Sequence, residues 1–379
     1  MLNEYLNKED EVVKLLAKYY LSEDEKKILI DSFQSNLEMN KIMGSLILHR
    51  VIGPAWMSIR DHVIPSTTTH KNEEFFFYLN NFYTSQLNRA EEHLYQTKQV
   101  IDVFNKENID YVIIKGISLG LDLYENIGMR WFNDVDILLK HDDIKKALSL
   151  LKSIGYVQGE YNFIKSSIEL ANRKDIISSP LLSHEVFPLV KHLPNSNINF
   201  HEVDLQFSLD LLTNNRTDEL VNDFLIRKIT LKEHEEIKTL SPEDHLLFLC
   251  IHFYKEAIYL EEVMNHKDFV LYKILDIYRL LLKYEKTLNW NRILLVAEEH
   301  NLNRVLLFAL TYTLDMYGKS RKSLIPNNVK SALSLEDKDN RELLNLVFDK
   351  NGKDKYCWYV PNNQKFFSIK RFEILENIR

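Results

Sequence analysis

Apolar residues recur every three to four positions through the first hundred residues, which is the spacing of one face of an α-helix. Ser22 followed by Glu25 has the form of a capping box and predicts the start of the second helix. The longest periodic stretch runs from Glu73 to about Asn105 and is rich in aromatic residues at its beginning. We expect residues 1–95 to form an all-helical N-terminal region.

The hydrophobic pattern changes from helical spacing to alternation in the middle of the chain. Asp134 to Lys140 and Ile198 to Phe207 alternate between polar and apolar residues, which is typical of strands with one buried face. The apolar run Tyr111 to Ile114 predicts a short buried strand before them. Gly155 ends the helical segment IKKALSLLKSIG, as glycine often does at a helix C-terminus. We expect residues 96–210 to form a small mixed sheet with helices.

Helical spacing returns after Asp210. Ser241 as N-cap and Pro242 in the first turn predict a helix start, and the apolar segment HLLFLCIHFY follows. We expect a C-terminal helical domain over residues 211–325. A less regular extension follows over residues 326–379, whose aromatic and basic residues either stack on bases or dock onto the protein. The predicted class is therefore α+β and predominantly helical, with a small sheet between helical regions.

Composition supports this outline and narrows the classes of function. The chain has 379 residues with only nine glycines and eight prolines, and so few turn-forming residues favour long helices. Its formal net charge of -7 argues against general affinity for nucleic acid, although a local basic face stays possible. The two cysteines, Cys250 and Cys357, support neither a disulfide framework nor a cysteine-based zinc site.

The N-terminal sequence MLNEYLNKEDE is acidic and polar, so we do not expect it to be a secretion signal. No apolar run reaches the roughly 18–20 residues that a membrane-spanning helix needs. We therefore expect a soluble cytoplasmic protein without a membrane partner. The sequence does not predict its oligomeric state.

The alternating stretch that begins at Asp134 places the carboxylates of Asp134 and Asp136 on one face of a strand, a single pleat apart. Two like charges this close repel, so a cation or strong hydrogen-bond donors must compensate them. A hard divalent ion, Mg²⁺ or Mn²⁺, is well suited to such oxygen ligands. Asp204 is a third acid on a predicted strand of the same region. Three such residues match the needs of two-metal nucleotidyl transfer, in which they are both metal ligands and catalytic groups.

The segment after the first predicted strand supplies groups that a triphosphate needs. Gly116 allows backbone amides to approach phosphate oxygens closely, and Ser118 follows at the start of a predicted helix. We expect both residues to contact the β- and γ-phosphates. Lys115 and Arg130 would supply positive countercharge. Two structural alternatives stay open, because Lys115 could be a surface lysine and Arg130 could pair with Asp134.

A set of short motifs follows in a recognisable order: Lys115-Gly116, Tyr124, Gly128-Met129-Arg130, Asp134-Val135-Asp136, Leu151 to Tyr156, and Val203-Asp204-Leu205-Gln206-Phe207. In this order they resemble the uncharacterised nucleotidyltransferase family, a branch of the DNA polymerase β-like superfamily. Gln206 departs from that pattern, because the family has His there. Lys115-Gly116 replaces the Gly-Gly or Gly-Ser of the wider superfamily. The likeness covers roughly residues 40–315.

The resemblance implies a polymerase-β-like nucleotidyltransferase core flanked by N- and C-terminal helical regions. It implies Mg²⁺-dependent transfer of a nucleoside monophosphate from a nucleoside triphosphate, with ATP expected, to a hydroxyl or phosphate group and release of pyrophosphate. The acidic net charge favours a small-molecule or peptide acceptor over long nucleic acid. Two alternatives stay open: a transferase that acts on tRNA or another RNA, and a non-catalytic nucleotide-binding module that retains the fold.

The sequence also leaves open the roles of four histidines, which are His184, His201, His245 and His252. Each could be a satisfied, partly buried structural residue or a group that approaches the site. His245 and His252 lie seven residues apart, so they share one face of the predicted helix and could reach the phosphates or the acceptor.

Overall fold

The computed structural model describes residues 6–66, 72–183, 185–210, 217–318, 324–335, 345–349, 353–358 and 360–368. The chain divides into two compact units, of which one combines residues 1–82 with 249–379 and the other comprises residues 83–248. Helices dominate the first unit, and the second contains a mixed sheet with helices, so the predicted α+β, predominantly helical class is confirmed. The division into four regions at residues 95, 210 and 325 stays a prediction.

The α-helices of the described residues are α1 (Lys8–Lys18), α2 (Glu23–Gln34), α3 (Met39–Leu48), α4 (Ile52–Ser58), α5 (Glu73–Lys106), α6 (Ile117–Leu123), α7 (Ile144–Ser153), α8 (Arg173–Ser183), α9 (Glu219–Ile226), α10 (Pro242–Ile258), α11 (Leu260–Met264), α12 (Leu271–Lys283), α13 (Trp290–Glu299), α14 (Asn303–Tyr317), α15 (Asn327–Ala332) and α16 (Asn362–Lys365). The strands are β1 (Tyr111–Ile113), β2 (Asp134–Leu139), β3 (Val157–Asn162), β4 (Ser167–Leu170), β5 (Leu189–His192), β6 (Phe200–Gln206), β7 (Ile229–Leu231), β8 (His234–Thr239), β9 (Leu346–Phe348) and β10 (Asp354–Cys357). None of these helices is long and apolar enough to cross a membrane.

Helix α1 lies at the centre of the N-terminal part of the first unit. Its residues Val13 and Leu16 are fully buried, and the helix packs against α3, α4 and α12. The predicted capping box is present, because the side chains of Ser22 and Glu25 each hydrogen-bond to the backbone N–H of the other residue. Lys18 Nζ lies 2.6 Å from Glu25 Oε1, so the same glutamate also ties α1 to α2.

The described part of the C-terminal extension docks through aromatic side chains. Trp358 and Phe366 are buried, and their ring centroids lie 5.6 and 5.3 Å from that of Phe269 in the same unit. Aromatic pairs at this separation contribute packing beyond their buried area. Docking, one of the two roles predicted for the extension, is therefore confirmed for these residues.

The second unit is organised around an eight-stranded sheet with the strand order β4-β3-β5-β6-β2-β1-β8-β7. Strand β2 pairs antiparallel with β1 on one side and parallel with β6 on the other. The three strands predicted from hydrophobic pattern are thus neighbours at the centre of the sheet. This placement brings the acidic positions of β2 and β6 side by side.

One face of the sheet is apolar and buried. Val135 and Ile137 of β2 join Val203 and Leu205 of β6 in a core that also contains residues of α5 and α7. These apolar positions alternate with the acidic ones, so burying them turns the acidic side chains to the opposite face. A register slip of one residue would reverse both faces, and the core therefore fixes where the acids point.

The helical prediction for residues 211–325 is wrong where the chain forms β7 and β8. Strand β8 pairs parallel with β1, with Ile113 opposite Thr239, and the Thr239 hydroxyl donates to the Ile113 carbonyl at 2.8 Å. This pairing gives the end of β1 backbone partners on its outer side, where a buried strand needs them. Buried apolar residues are sparse along the hairpin, chiefly Leu231 and Ile237, so the local alternation is too short to reveal it.

Candidate active site

Three aspartates converge on the sheet face opposite the apolar core. Asp134 and Asp136 lie on β2 and Asp204 lies on β6, where the parallel register sets Asp136 directly beside Asp204. One carboxylate oxygen from each residue lies within 4.8 Å of the other two. In the part of the chain that the structure describes, this is the one group of three or more His, Cys or acidic side chains arranged to share a metal ion.

Lys115 is the nearest positive charge to these carboxylates. It follows β1 directly, and its Nζ lies 2.5 Å from Asp136 Oδ1. Burial alone would lower the pKa of Lys115, but the charges of Asp136 and Asp134 outweigh it and raise that pKa. The ammonium group is therefore charged, and it neutralises only part of the negative charge of the cluster.

Two of the three carboxylates, those of Asp136 and Asp204, have pKa values above those of ordinary aspartates. Burial, opposed by Lys115 and reinforced by Asp134, raises the pKa of Asp136 to about 7. Burial and then the charges of Asp134 and Asp136 raise the pKa of Asp204 well above its usual value. Such shifts mean that the ionised cluster lacks compensating positive charge.

Asp204 also carries an unsatisfied polar atom. Its Oδ1 is buried and has no hydrogen-bond partner among the described residues. A buried carboxylate oxygen without a partner costs free energy, and a cation would remove that cost. The donor set consists of carboxylate oxygens only, which is the ligand type that hard ions such as Mg²⁺ and Mn²⁺ prefer. The residues present therefore fit a divalent ion.

Gly116 has a backbone conformation that favours glycine. Its φ is 55°, and a Cβ atom built there would lie 3.3 Å from the Asp134 carbonyl oxygen. Any side chain would thus combine strain with crowding against β2. Gly116 caps α6 and brings the chain after Lys115 close to the carboxylates. Its predicted contact with phosphate stays a prediction.

Ser118 and Arg130, the other two members of the predicted nucleotide-binding set, are both buried. The Ser118 hydroxyl donates to the Lys115 carbonyl at 3.2 Å, so it is engaged with the backbone of its own loop. Arg130 Nη1 lies 3.4 Å from the Trp131 carbonyl. The structure therefore brings Lys115 into contact with the aspartates, whereas the contacts of Ser118 and Arg130 with phosphate stay predictions.

Two further glutamates act on the cluster, although no motif singled them out. Glu202 lies opposite Asp134 in the pairing of β2 and β6, and burial followed by the charge of Asp134 raises its pKa to about 7. Glu185 forms a bridge to Gln206 at the end of β6, and its charge contributes to the raised pKa of Asp204. The alternation of β6 could have identified Glu202, because Glu202 lies on the same face of the strand as Asp204. No local pattern marked Glu185.

Helix α5 contributes a histidine near Asp134. Burial and then the positive charge of Arg89 lower the pKa of His93 to about 4, although the charge of Asp134 acts in the opposite direction. Both ring nitrogens of His93 lack a hydrogen-bond partner within the described ranges. His93 is therefore neutral at physiological pH.

The histidines singled out from the sequence have separate surroundings. His201 is fully buried and hydrogen-bonds through Nδ1 with the Tyr156 hydroxyl at 2.7 Å and through Nε2 with Thr97 Oγ1 at 3.2 Å. His245 Nε2 lies 3.0 Å from the Ile114 carbonyl, one residue before Lys115. His201 is thus a satisfied core residue, and His245 supports the loop that carries Lys115.

Of the remaining two histidines, the structure describes only His252. His252 belongs to the first unit, where its Nε2 lies 3.3 Å from Glu256 Oε2. His184 lies outside the described residues. His245 and His252 thus have different polar partners.

Comparison with known proteins identifies one relationship. A model of the family described as uncharacterised nucleotidyltransferase matches residues 35–318, which is more than half of the chain and includes every residue of the carboxylate cluster. Searches of curated proteins and of solved structures find no significant match.

Proposed function

We propose that this chain, which belongs to the uncharacterised nucleotidyltransferase family, transfers a nucleoside monophosphate in a Mg²⁺-dependent reaction. The expected donor is ATP, and the expected acceptor is a hydroxyl or phosphate group of a small molecule or peptide. The observation that carries the proposal is the convergence of Asp134, Asp136 and Asp204 within 4.8 Å, with one oxygen of Asp204 unsatisfied.

Asp134, Asp136 and Asp204 would hold the ions. The raised pKa values of Asp136 and Asp204 and the orphaned oxygen of Asp204 support this role, because a divalent cation would supply the positive charge that Lys115 alone does not. When bound, Mg²⁺ ions shield charge on the departing pyrophosphate and acidify the acceptor hydroxyl. Mn²⁺ has the same oxygen preference and would substitute for Mg²⁺.

Lys115 and the loop that follows it would receive the triphosphate. The Lys115 ammonium is charged and held at the carboxylates, so it can pair with a phosphate oxygen once metal occupies the aspartates. Gly116 leaves room for the triphosphate to approach the backbone. Lys115 and Gly116 would thereby orient the α-phosphate toward β6.

The transfer itself exchanges one bond to phosphorus for another. The acceptor oxygen forms a bond to the α-phosphorus, while the bond from that phosphorus to the bridging oxygen breaks and pyrophosphate leaves with the bonding electrons. Asp204, which lies beside Asp136 in the strand register, would take the acceptor proton. Because Asp204 lies on β6, the acceptor would bind on the β6 side of β2.

The test is a label-transfer assay with α-³²P-ATP, Mg²⁺ and pools of small-molecule and peptide acceptors. We expect labelled product and pyrophosphate, both lost with EDTA and reduced at least about a hundredfold by Asp136→Asn. Asp142→Asn is the matched control, because this carboxylate is fully exposed just after the same strand. Mn²⁺ binding measured by electron paramagnetic resonance gives a readout that needs no acceptor.

Two results would contradict the proposal. Label transfer that survives Asp136→Asn would place the chemistry elsewhere. Failure of wild-type protein to bind Mn²⁺ together with ATP, while Asp136→Asn and Asp142→Asn behave identically, would show that the three aspartates are not a metal site.

A further inference from the structure

Strand β6 carries an aromatic residue on the same face as its acidic residues. Phe200, Glu202 and Asp204 occupy alternate positions that are partly exposed, and the residues between them are buried. Phe200 and Asp204 are four residues apart, so their Cα atoms lie about 13 Å from each other along the strand. A molecule of two or three rings bridges that distance.

The end of β3 and the turn that follows it add two more rings to Phe200. Tyr161 stacks on Phe200 with ring centroids 4.7 Å apart and an interplanar angle of 16°. Phe163 meets both rings edge-on, at 5.2 and 5.7 Å, and is 71% exposed. We call Tyr161, Phe163 and Phe200 the aromatic cluster. The exposed part of the aromatic cluster is an apolar surface beside the sheet face that carries the three aspartates.

Two glutamates, Glu160 and Glu202, are close in sequence to members of the aromatic cluster. Glu160 precedes Tyr161 and lies close enough to Glu202 for their charges to interact. Glu202 is itself the neighbour of Asp134 in the strand register. Neither glutamate belongs to the group of three that would hold metal. The acceptor side of the site thus has more carboxylates than the ions require.

We propose that the acceptor is a flat-ringed organic cation that stacks on the aromatic cluster while Glu160 and Glu202 pair with its positive charge. The inference rests on the function proposed above. Aromatic faces attract cations, and nearby carboxylates strengthen that preference while they repel anions. A nucleic-acid acceptor, whose backbone is anionic, does not match this surface.

The strand order assigns the surface to the acceptor and not to the nucleotide. Lys115 and Gly116 follow β1, on one side of β2, whereas Phe200 and Asp204 lie on β6, on its other side. The triphosphate is drawn toward Lys115 and repelled by Glu160 and Glu202. The acceptor hydroxyl would reach the α-phosphorus from the β6 side, form the new phosphorus–oxygen bond as the bond to pyrophosphate breaks, and give its proton to Asp204.

The test measures binding of two flat fluorescent probes of similar size and opposite charge. Proflavine is a three-ring cation, and anthracene-2-carboxylate is a three-ring anion. With full-length protein, Mg²⁺ and a non-hydrolysable ATP analogue, we expect proflavine to bind at least about tenfold more tightly than the anion. Phe163→Ala and Glu160→Gln should each weaken proflavine binding about three- to tenfold.

Matched control variants separate this surface from the rest of the unit. Tyr95→Ala removes an aromatic ring that is 60% exposed on α5, and Glu233→Gln removes an exposed carboxylate in the turn between β7 and β8. Both should leave proflavine binding unchanged. Equal or tighter binding of the anion, or proflavine binding that is unaffected by Phe163→Ala and Glu160→Gln, would overturn the inference.

Binding of Mg²⁺ with the ATP analogue is measured on the same samples. If the nucleotide binds normally but the charge preference is absent, the inference about the acceptor fails and the proposed function stands. If the nucleotide does not bind in the presence of Mg²⁺, the proposed function fails and the inference falls with it.

Discussion

Lys115 Nζ lies 2.5 Å from Asp136 Oδ1, between the end of β1 and the centre of β2. The pair is largely buried, with side-chain exposures of 18% and 6%. Lys115 is thus the positive charge in contact with a group of three carboxylates. Two quantities can be measured separately: the contribution of Lys115 to stability, and the effect on stability of the negative charge that Lys115 does not compensate.

We predict that Lys115→Met lowers the free energy of unfolding of the metal-free protein by about 2–3 kcal/mol at pH 8. The substitution leaves Asp136 buried without its cation, although uptake of a proton by Asp136 limits the cost. The double variant Lys115→Met/Asp136→Asn should recover most of the loss, because the uncompensated charge is then gone. Urea denaturation of the four proteins of the cycle gives the coupling energy.

The control for this cycle is Lys98→Met. Lys98 Nζ lies 2.8 Å from Glu236 Oε1, but both side chains are more than a third exposed. Exposed pairs contribute little, so we expect a change within about 1 kcal/mol. An equal loss in Lys98→Met and Lys115→Met would show that the carboxylate cluster does not depend on Lys115.

The raised pKa values predict that the carboxylate cluster destabilises the metal-free protein as pH rises from 6.5 to 8.5. In the folded state Asp136 and Glu202 have pKa values of about 7, and the pKa of Asp204 is well above its usual value, whereas the unfolded carboxylates have lost their protons below pH 6. The folded state therefore binds more protons, and stability falls as they are released. Release of one proton over this pH range lowers the free energy of unfolding by about 1–3 kcal/mol.

The measurement compares wild type with Asp204→Asn in EDTA, because other groups titrate too. Lys365, in the other unit, has a pKa lowered to about 7 by burial, and it stabilises the fold as pH rises. The variant retains Lys365 but loses one carboxylate, so stability should fall less steeply with pH in the variant than in wild type. Parallel pH profiles for the two proteins would contradict the prediction. Below pH 6.5 the depressed pKa of His93 also contributes, and that range is therefore avoided.

The sequence predicted the centre of the site because its signal is local. Alternation in β2 and β6 assigned Asp134, Asp136 and Asp204 to strand faces, and the apolar residues between them decide which face is buried. A run of apolar residues ending in Lys115-Gly116 likewise marked the end of β1. These features need no knowledge of distant contacts.

The surroundings of the site could not be predicted in the same way. Glu185 reaches the cluster through a bridge to Gln206, and the charge of Glu160 on β3 acts on Glu202 of β6. Both effects depend on contacts between segments that are distant in sequence. The β7–β8 hairpin was included in a predicted helical domain because β1, the partner of β8, lies more than a hundred residues earlier. Tertiary pairing overrode a weak local pattern in each case.

We predict that Gly116→Ala lowers stability by about 1–3 kcal/mol and also weakens nucleotide binding about tenfold. The φ of 55° strains any other residue, and the new Cβ would lie 3.3 Å from the Asp134 carbonyl oxygen. We expect the loop that follows Lys115 to shift so that this contact is relieved, and the shift weakens nucleotide binding. Isothermal titration with a non-hydrolysable ATP analogue and Mg²⁺ measures the change in affinity.

Gly155→Ala is the matched control for Gly116→Ala. Gly155 also has a positive φ, 95°, but a Cβ there would meet only the flexible end of Lys191, at 3.7 Å. This variant should lose a similar amount of stability without any change in nucleotide affinity. If both variants bind the ATP analogue as tightly as wild type does, Gly116 has no role in binding.

His245 contacts the backbone just before Lys115, and we predict that it positions Lys115 through this contact. Its Nε2 lies 3.0 Å from the Ile114 carbonyl, and the Ile114 N–H donates to the Asp136 carbonyl at 3.1 Å. We predict that His245→Leu, which removes the ring donor, loosens the end of β1 and slows nucleotidyl transfer about tenfold at saturating ATP, as expected for a misplaced Lys115. His245→Gln retains an N–H donor and should restore most of the rate.

Hydrogen exchange separates this positioning role from a direct one. The amides of residues 113–117 should exchange faster in His245→Leu than in wild type or in His245→Gln, because the hydrogen bond that secures the strand end is lost only with leucine. His252→Leu, seven residues further along α10 and paired with Glu256 in the other unit, should leave this exchange unchanged. Slow transfer with unaltered exchange in His245→Leu would mean that His245 contacts a substrate directly, and the positioning role would then be wrong.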